Sequence, residues 1–487
     1  MTTPHRLRVR EKIAFGFGDF ASCIYWTTFS NFLLIFYTDV FGIEARVAGS
    51  ILLWSRIFDG VNDPMIGALS DRTRTRWGNF RPYLLWICVP FAIAGALCFT
   101  TPDFDATNKV LWAWITYNLL MVLYTAINIP YNSMLGVITP NSIERTSVAS
   151  YKFFFAFGAG LFVKATLPLL TKWLGDDGAN LQRGYQLTFV CYGLIAIACF
   201  LIAFFGTRER VRPPQGQRTP LRRDLLHLVT NRPWLILSLT TVGFVLFCAT
   251  RDTIAAYYVK YYIGEQDLTL PFFGTHRQGY ETTVAGYLGL GAIGSLIGVL
   301  LTTWLARRVG KKTTFTVCLL GSAVLQLGYY IMPRDELLFL YGLQIVGSIV
   351  AGPLAVLLWA MYADTADYWE WKSGQRATGL VFSASTMTQK FAWAVSGKAA
   401  GDMLSLTGFV PNAVTQTSGT LQGMIHMMST VPAAFGILAV ATLIFYPLNE
   451  RTMSDITAEL ESRRRRGLAS DDAPDLPADG AVAPQSP

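Results

Sequence analysis

Apolar residues run through this chain of 487 residues in long blocks, without the short alternation or narrow stripe of a soluble fold. Twelve blocks can be drawn, at about 13–38, 47–70, 82–101, 108–136, 147–171, 184–206, 233–262, 282–305, 313–332, 337–363, 377–405 and 423–447. Most have the roughly 20 residues a helix needs to cross a bilayer, so the pattern predicts an all-α membrane protein with twelve transmembrane helices. Between blocks six and seven lies a polar, basic, proline-containing stretch, TRERVRPPQGQRTPLRRDLLHLVTNR. It divides the chain into an N-terminal six-helix bundle (1–206), a linker (207–232) and a C-terminal six-helix bundle (233–447). The remainder, 448–487, becomes rich in Ala, Pro and Asp after Glu461 and is expected to be a largely disordered tail.

Composition agrees with this picture: 52% of residues are hydrophobic and only 15% charged, where soluble proteins average about 25%. The formal charge of +8 is no nucleic-acid footprint. Of 40 Lys and Arg, 27 lie in the N-terminal segment, the even-numbered connections and the C-terminal segment, and six in the odd-numbered connections. That asymmetry predicts both termini in the cytoplasm of a multi-pass membrane protein. The first block is too long for a signal-peptide core and is expected to stay. Arg463 to Arg466 read as a topology anchor beside anionic headgroups. The seven cysteines all fall inside blocks without metal-ligand spacing, and the four histidines are scattered. No nucleophile arrangement, cofactor motif or structural metal site emerges, so an enzyme is not expected.

Charges inside the blocks carry the chemistry. In block two, SILLWSRIFDGVNDPMIGAL, Asp59, Asn62 and Asp63 share one helical face, with Arg56 one turn before Asp59. One charge at mid-bilayer costs at least ~2.5–3.5 kcal/mol on insertion scales, so two acids need Arg56, a cation or a proton as compensation. A hard cation such as Na⁺ prefers oxygen ligands, whereas burial draws a carboxylate toward protonation. Both ions stay open as partners. Lys152, Lys164, Arg251, Asp252 and Lys390 also lie inside blocks, where a wet cavity or a gate would accommodate them. Arg251 and Asp252, being neighbours, point about 100° apart and are not expected to pair simply with each other.

The two halves echo each other. DRTRTRWGNFRP follows block two and ARRVGKK follows block eight, both basic with a Gly turn, which suggests two parallel six-helix repeats. This arrangement resembles the major facilitator superfamily. Closer motifs (GFGDFASCIYW, FYTDVFGI, RIFDGVNDP, YTAINIPYNSM and ADTADYWEWKSGQRATGLVFS) look like the glycoside–pentoside–hexuronide:cation symporters, of which the melibiose permeases are the best known.

That resemblance implies a cation seat at Asp59, Asn62, Asp63 and Thr125, with Na⁺ or H⁺ as coupling ion, and Lys390 beside it. In the melibiose permeases two Asp and one Arg hold the sugar; the matching positions here are Cys23, Asn128 and Lys152, all different in type. Asn128 keeps hydrogen bonding without charge, and Lys152 keeps charge without a bidentate fork. Asp19, one turn before Cys23, offers a replacement carboxylate, or else pairs with Lys12 or a loop Arg. Tyr25, Trp26, Tyr124, Tyr131 and Asn132 are further contacts or simple packing. Lys152, if it faces the cavity, would suit an acidic sugar. A gate is expected where Asp71, Arg72, Arg76 and Arg81 of one half meet Asp364, Asp367, Glu370 and Arg376 of the other. The expected activity is cation:sugar symport by a monomer in the bilayer. A lysolipid or amphiphile carrier, and a membrane-embedded enzyme or receptor, are the alternatives.

Overall fold

The computed structural model describes residues 7–139, 142–210, 230–270, 274–373 and 378–471. Helices α1 (Val9–Asn31) and α2 (Leu33–Val40) form one span bent by 59° at Phe32. They are followed by α3 (Ala45–Arg72), α4 (Arg81–Cys98), α5 (Ala106–Val137), α6 (Ser142–Leu174) and α7 (Leu181–Gly206). The second half contains α8 (Arg232–Tyr257), α9 (Tyr280–Val309), α10 (Lys311–Leu327), α11 (Leu337–Ser373), α12 (Thr378–Leu406), α13 (Ser418–Met428) and α14 (Thr430–Ile444).

Each apolar block therefore meets a helix or a bent pair, yet the helices are not equally apolar. Among the described residues, eight spans are long and apolar enough to cross a membrane, or nine with the bent first pair. The helices of blocks two, nine and eleven fall outside that set. Of these, α10 has only 17 residues. Helices α3 and α12 are instead interrupted by the charges of Arg56, Asp59 and Asp63, and of Lys390, Lys398 and Asp402. Both of these helices carry part of the charged centre.

Two departures from the sequence reading stand out. Glu450–Asp471 of the expected disordered tail is a helix, α15. Met453, Ile456 and Leu460, on one face at i, i+3 and i+7, bury against the C-terminal half. A β-hairpin, β1 (Gln266–Leu270) with β2 (Gly274–Gln278), follows α8; its antiparallel register pairs Gln266 with Gln278. The linker residues 211–229 and the tail beyond 471 lie outside the described residues.

The halves run parallel, since Ser30 and Thr38 meet Thr253 and Tyr257 in the same order along α1–α2 and α8. The first and last described segments, the start of α1 and helix α15, lie toward one face, called here the terminal face. Burial is continuous between the halves at the opposite, far face. There Ile254 to Ile263, Tyr329, Leu404 and Met424 share a cluster with Phe36, Tyr37 and Phe41. Nearer the terminal face, Trp234 to Ala249, Leu354 to Ala366 and Ala392 form a separate core within the C-terminal half. At the far face α3 crosses α12 through glycine. A Cβ at position 401 would lie 2.3 Å from the Ala45 carbonyl oxygen, and one at Gly49 would lie 3.1 Å from the Gly397 carbonyl oxygen, a tight but lesser constraint.

Candidate functional site

The charged centre sits where α3, α5 and α12 meet. Asp59 is fully buried, and its Oδ1 accepts a 2.5 Å hydrogen bond from Thr125 Oγ1 on α5. The same hydroxyl lies 3.3 Å from Asp63 Oδ1. Lys390 of α12 reaches across the interface between the halves. Its Nζ contacts Asp63 Oδ2 and stands 3.1 Å from Asp59 Oδ2, close enough for ion pairing although not aligned as a hydrogen bond. The Asn62 side-chain Nδ2 is buried with no partner. Asp59, Asp63 and Thr125, three of the side chains that the resemblance assigned to a cation, thus converge, with an ammonium bridging both acids.

Arg56 does not compensate the acids. Among the described residues it forms no ion pair; its guanidinium lies over the Trp26 ring at 4.3 Å, and one terminal nitrogen, Nη1, is buried without a partner. It lies three positions before Asp59 on α3, so the two side chains could approach. Packing against the large indole face of α1 directs the Arg elsewhere.

Beside this centre lies a cavity of about 340 Å³ between the halves, within the ordinary range of small-molecule sites. Cys23, Trp26 and Asn31 line it from α1, Lys164 from α6, Asp252 from α8 and Trp393 from α12. Two indoles supply apolar faces for a ring; Asn31, Lys164 and Asp252 supply polar edges. Ser30 Oγ and Asn31 Oδ1, also on this wall, have no hydrogen-bond partner.

The other residues proposed for cargo cluster one turn nearer the terminal face. Lys152 Nζ bonds Asn132 Oδ1 at 2.5 Å and lies 3.8 Å from Asp19 Oδ1. Asn132 in turn donates to Asn128 Oδ1 at 2.7 Å, and Cys23 Sγ stands 4.0 Å from Asp19 Oδ2. Asp19, Cys23, Asn128 and Lys152 are therefore one connected group. Asp19 does not pair with Lys12, which is held by Glu144 at 2.9 Å. Pairing with Asp19 also offsets the Lys152 charge, which removes the ground for a free cation at that position. Lys164 instead has no acid within ion-pairing distance among the described residues. Of the aromatic candidates, Tyr25 and Tyr131 are fully buried packing residues; Tyr131 donates to the Phe15 carbonyl at 2.7 Å.

Arg251 and Asp252 do meet, at 3.4 Å between Nη2 and Oδ1. Side-chain length overcomes the 100° between their Cβ directions.

Asp364 pairs with Lys311 of its own half at 2.5 Å, not with the N-terminal half. Arg72 is exposed, and Arg76 lies over the Trp77 ring at 4.5 Å. Asp367 is half-buried on α11. Arg376 and the Asp71 side chain lie outside the described residues. Among the described residues, charges also join the halves at the far face. Asp39 accepts from Lys260 at 2.5 Å and from the Tyr261 hydroxyl, while Asn412 Nδ2 donates to the Asp39 carbonyl at 2.5 Å. Lys172 pairs with Glu281 at 3.6 Å, and Arg46 with Asp402 at 3.6 Å. Sequence reasoning missed this latch, although Asp39 lies in the FYTDVFGI motif and Lys260 in a block, both visible as charges in apolar surroundings.

Comparison with known proteins fits this architecture. A bacterial homologue of the lysosomal transporter Spinster, solved in an inward-facing and unoccupied conformation, superposes with a TM-score of 0.64 at 15% identity, covering 91% of this chain and 98% of that one. The isoprimeverose transporter of Lactiplantibacillus pentosus is 34% identical over 471 residues, 95% of this chain and 93% of that protein. The inner membrane symporter YicJ of Escherichia coli is 33% identical over 461 residues, 94% and 96% respectively. The family model described as MFS/sugar transport protein matches residues 14–450. By that match and those relatives, this chain belongs to the MFS/sugar transport protein family.

Proposed function

We propose that the protein is a cation:sugar symporter in which Asp59, Asn62, Asp63 and Thr125 seat the cation and the cavity beside Trp26 and Trp393 receives the sugar. The observation that carries this reading is Lys390, whose ammonium lies against both acids. An ammonium at that place is a stand-in for a monovalent cation. Arrival of the ion releases Lys390 from Asp59 and Asp63, and because Lys390 and the acids belong to opposite halves, ion occupancy changes what joins the halves. Linkage then requires that sugar and cation favour each other's binding equally. Convergence of the Thr125 hydroxyl with two carboxylates supports Na⁺, since a proton requires only one carboxylate oxygen.

With both termini in the cytoplasm, as the distribution of basic residues supports, the terminal face is cytoplasmic and the described state is closed to the outside. Alternating access then opens the Asp39–Lys260–Asn412 latch on one side while contacts form on the other. Twelve crossings in two repeats follow, and one chain contains both sites, so a monomer suffices. The polar edges of the cavity favour a sugar over a lysolipid. Relatives include a glucuronide carrier homologue and a putative sulfoquinovose importer, both of Escherichia coli. Lys164, the cavity cation without an acid partner, supports a sugar bearing an anionic substituent.

Uptake into proteoliposomes, with Na⁺ and pH gradients imposed separately and a panel of neutral and acidic glycosides as competitors, tests the proposal. Accumulation driven by Na⁺ and inhibited by one class of glycoside is expected. Uptake indifferent to either gradient would make the protein a facilitator.

A further inference from the structure

One of the two indoles that wall the sugar cavity packs on Arg56, a neighbour of the charged centre on α3, and the other indole meets the first. Trp26 lines the cavity on α1, and the Arg56 guanidinium packs on its ring at 4.3 Å. Arg56 stands one helical turn from Asp59 on α3. Trp393 lines the opposite wall, meets Trp26 edge to face at 6.1 Å, and stands one turn from Lys390 on α12. Each half thus places a cavity indole against, or one helical turn from, a charged residue near the cation site.

Arg56 is an unusual part of this arrangement. It is buried at 7% exposure, one nitrogen lacks a partner, and among the described residues no acid pairs with it. A buried cation held mainly by a ring face responds strongly to nearby charge, because desolvation leaves little else to balance it. When Lys390 leaves Asp59 for an incoming ion, the field at Arg56 changes, and Trp26 is the surface that registers it.

We propose that the Trp26–Arg56 stack is the coupling element between the two sites: it reports cation occupancy to the cavity wall by shifting the Trp26 indole. Trp26 and Arg56 are positioning residues in this role, and the inference rests on the symport reading above. Trp393 completes the path by abutting Trp26 from the half that carries Lys390.

Cys23 lines the same cavity and provides a reporter that needs no knowledge of the sugar. With the other six cysteines replaced by Ser, the rate of Cys23 alkylation by N-ethylmaleimide is measured at fixed pH in Na⁺ and in choline. Equilibrium binding of radioactive Na⁺ is measured on the same samples. Na⁺ is expected to change the rate by ~5-fold or more, the lower end of ordinary coupling between sites. Trp26→Leu should reduce the change to below ~2-fold while Na⁺ still binds, and Trp26→Phe, which keeps a ring for Arg56, should restore most of it. A Trp26→Leu protein that transmits the Na⁺ effect undiminished overturns the proposal, as does a wild-type cavity indifferent to bound Na⁺. Failure of Na⁺ to bind at all would instead strike the proposed Na⁺ seat beneath it, and would overturn both.

Discussion

Lys390 Nζ lies 3.1 Å from Asp59 Oδ2 and also contacts Asp63, so one ammonium from the C-terminal half bridges two acids of the N-terminal half and balances the charge of one of them. Asp59 is wholly buried, and its sole ion-pair partner among the described residues is Lys390. An ion pair of this kind is a switch more than a source of stability, because removal of either partner leaves a buried charge uncompensated.

Thermal unfolding in detergent should expose that dependence. Breaking a buried pair costs about 3–5 kcal/mol, and the partial exposure of Lys390 and Asp63 reduces the effect here. Lys390→Ala is expected to lower the melting temperature in choline by several degrees, and Na⁺ should recover part of the loss by taking the vacated position. Equal melting of mutant and wild type in choline would mean the bridge is not formed in the membrane protein.

The far-face latch predicts a conformational phenotype. Asp39 gathers Lys260, Tyr261 and, through its carbonyl, Asn412. Asp39→Ala leaves Lys260 without its acid, so closure toward the outside should weaken by about 1–2 kcal/mol, roughly a tenfold shift in the balance of states. A single cysteine placed at Ser405, near the same seam, should become correspondingly more reactive toward an impermeant maleimide applied from outside. Unchanged labelling would remove the latch from the gating scheme.

Backbone contact between α3 and α12 yields a sharper version of the same test. A side chain at position 401 meets the Ala45 carbonyl at 2.3 Å, a separation that no rotamer relieves. Gly401→Leu should hold the far face apart and reduce uptake by roughly tenfold or more, equivalent to at least about 1.4 kcal/mol against closure. Surface expression should persist, because the clash affects one state and not the insertion of either helix. Normal uptake by this variant would show that the two helices need not approach so closely during the cycle.

Substrate charge is assigned to Lys164. Lys152 is offset by Asp19, while Lys164 faces the cavity with no acid partner among the described residues. Lys164→Gln is therefore expected to weaken competition by a glucuronide about tenfold, and competition by the matching neutral glucoside by less than about threefold. Equal loss for both sugars would point to a packing role for Lys164.

How much of this was legible in the chain itself depends on the kind of signal. Each apolar block met a helix or bent pair, although among the described residues eight spans, or nine with the bent pair, are long and apolar enough to cross a membrane. The face shared by Asp59, Asn62 and Asp63 marked half of the charged centre. The other half was harder, because Thr125 and Lys390 are distant in sequence and reach Asp59 only through tertiary packing; the family resemblance supplied them. Arg56 illustrates the limit of spacing arguments. Its position predicts an ion pair with Asp59, yet an aromatic face on another helix captures it. The Asp19–Lys152 pair had the same character, as two separately plausible ligands that partly offset one another. Helix α15 was missed for a different reason: its Met453, Ile456 and Leu460 face is short and lies next to a polar, low-complexity end, so composition hid its period. The hairpin after α8 was likewise hidden between two long blocks.

Sodium-driven accumulation by wild-type and Asp59→Asn proteins, compared side by side in proteoliposomes, tests the central claim most directly. Wild-type protein should concentrate the transported glycoside when Na⁺ is imposed outside, and lose that accumulation when choline replaces it. Asp59→Asn removes the charge to which Lys390 and the cation both bind, so it should insert normally and accumulate nothing above equilibration. Wild-type levels of Na⁺-driven accumulation by Asp59→Asn would contradict the assignment of the cation to this site.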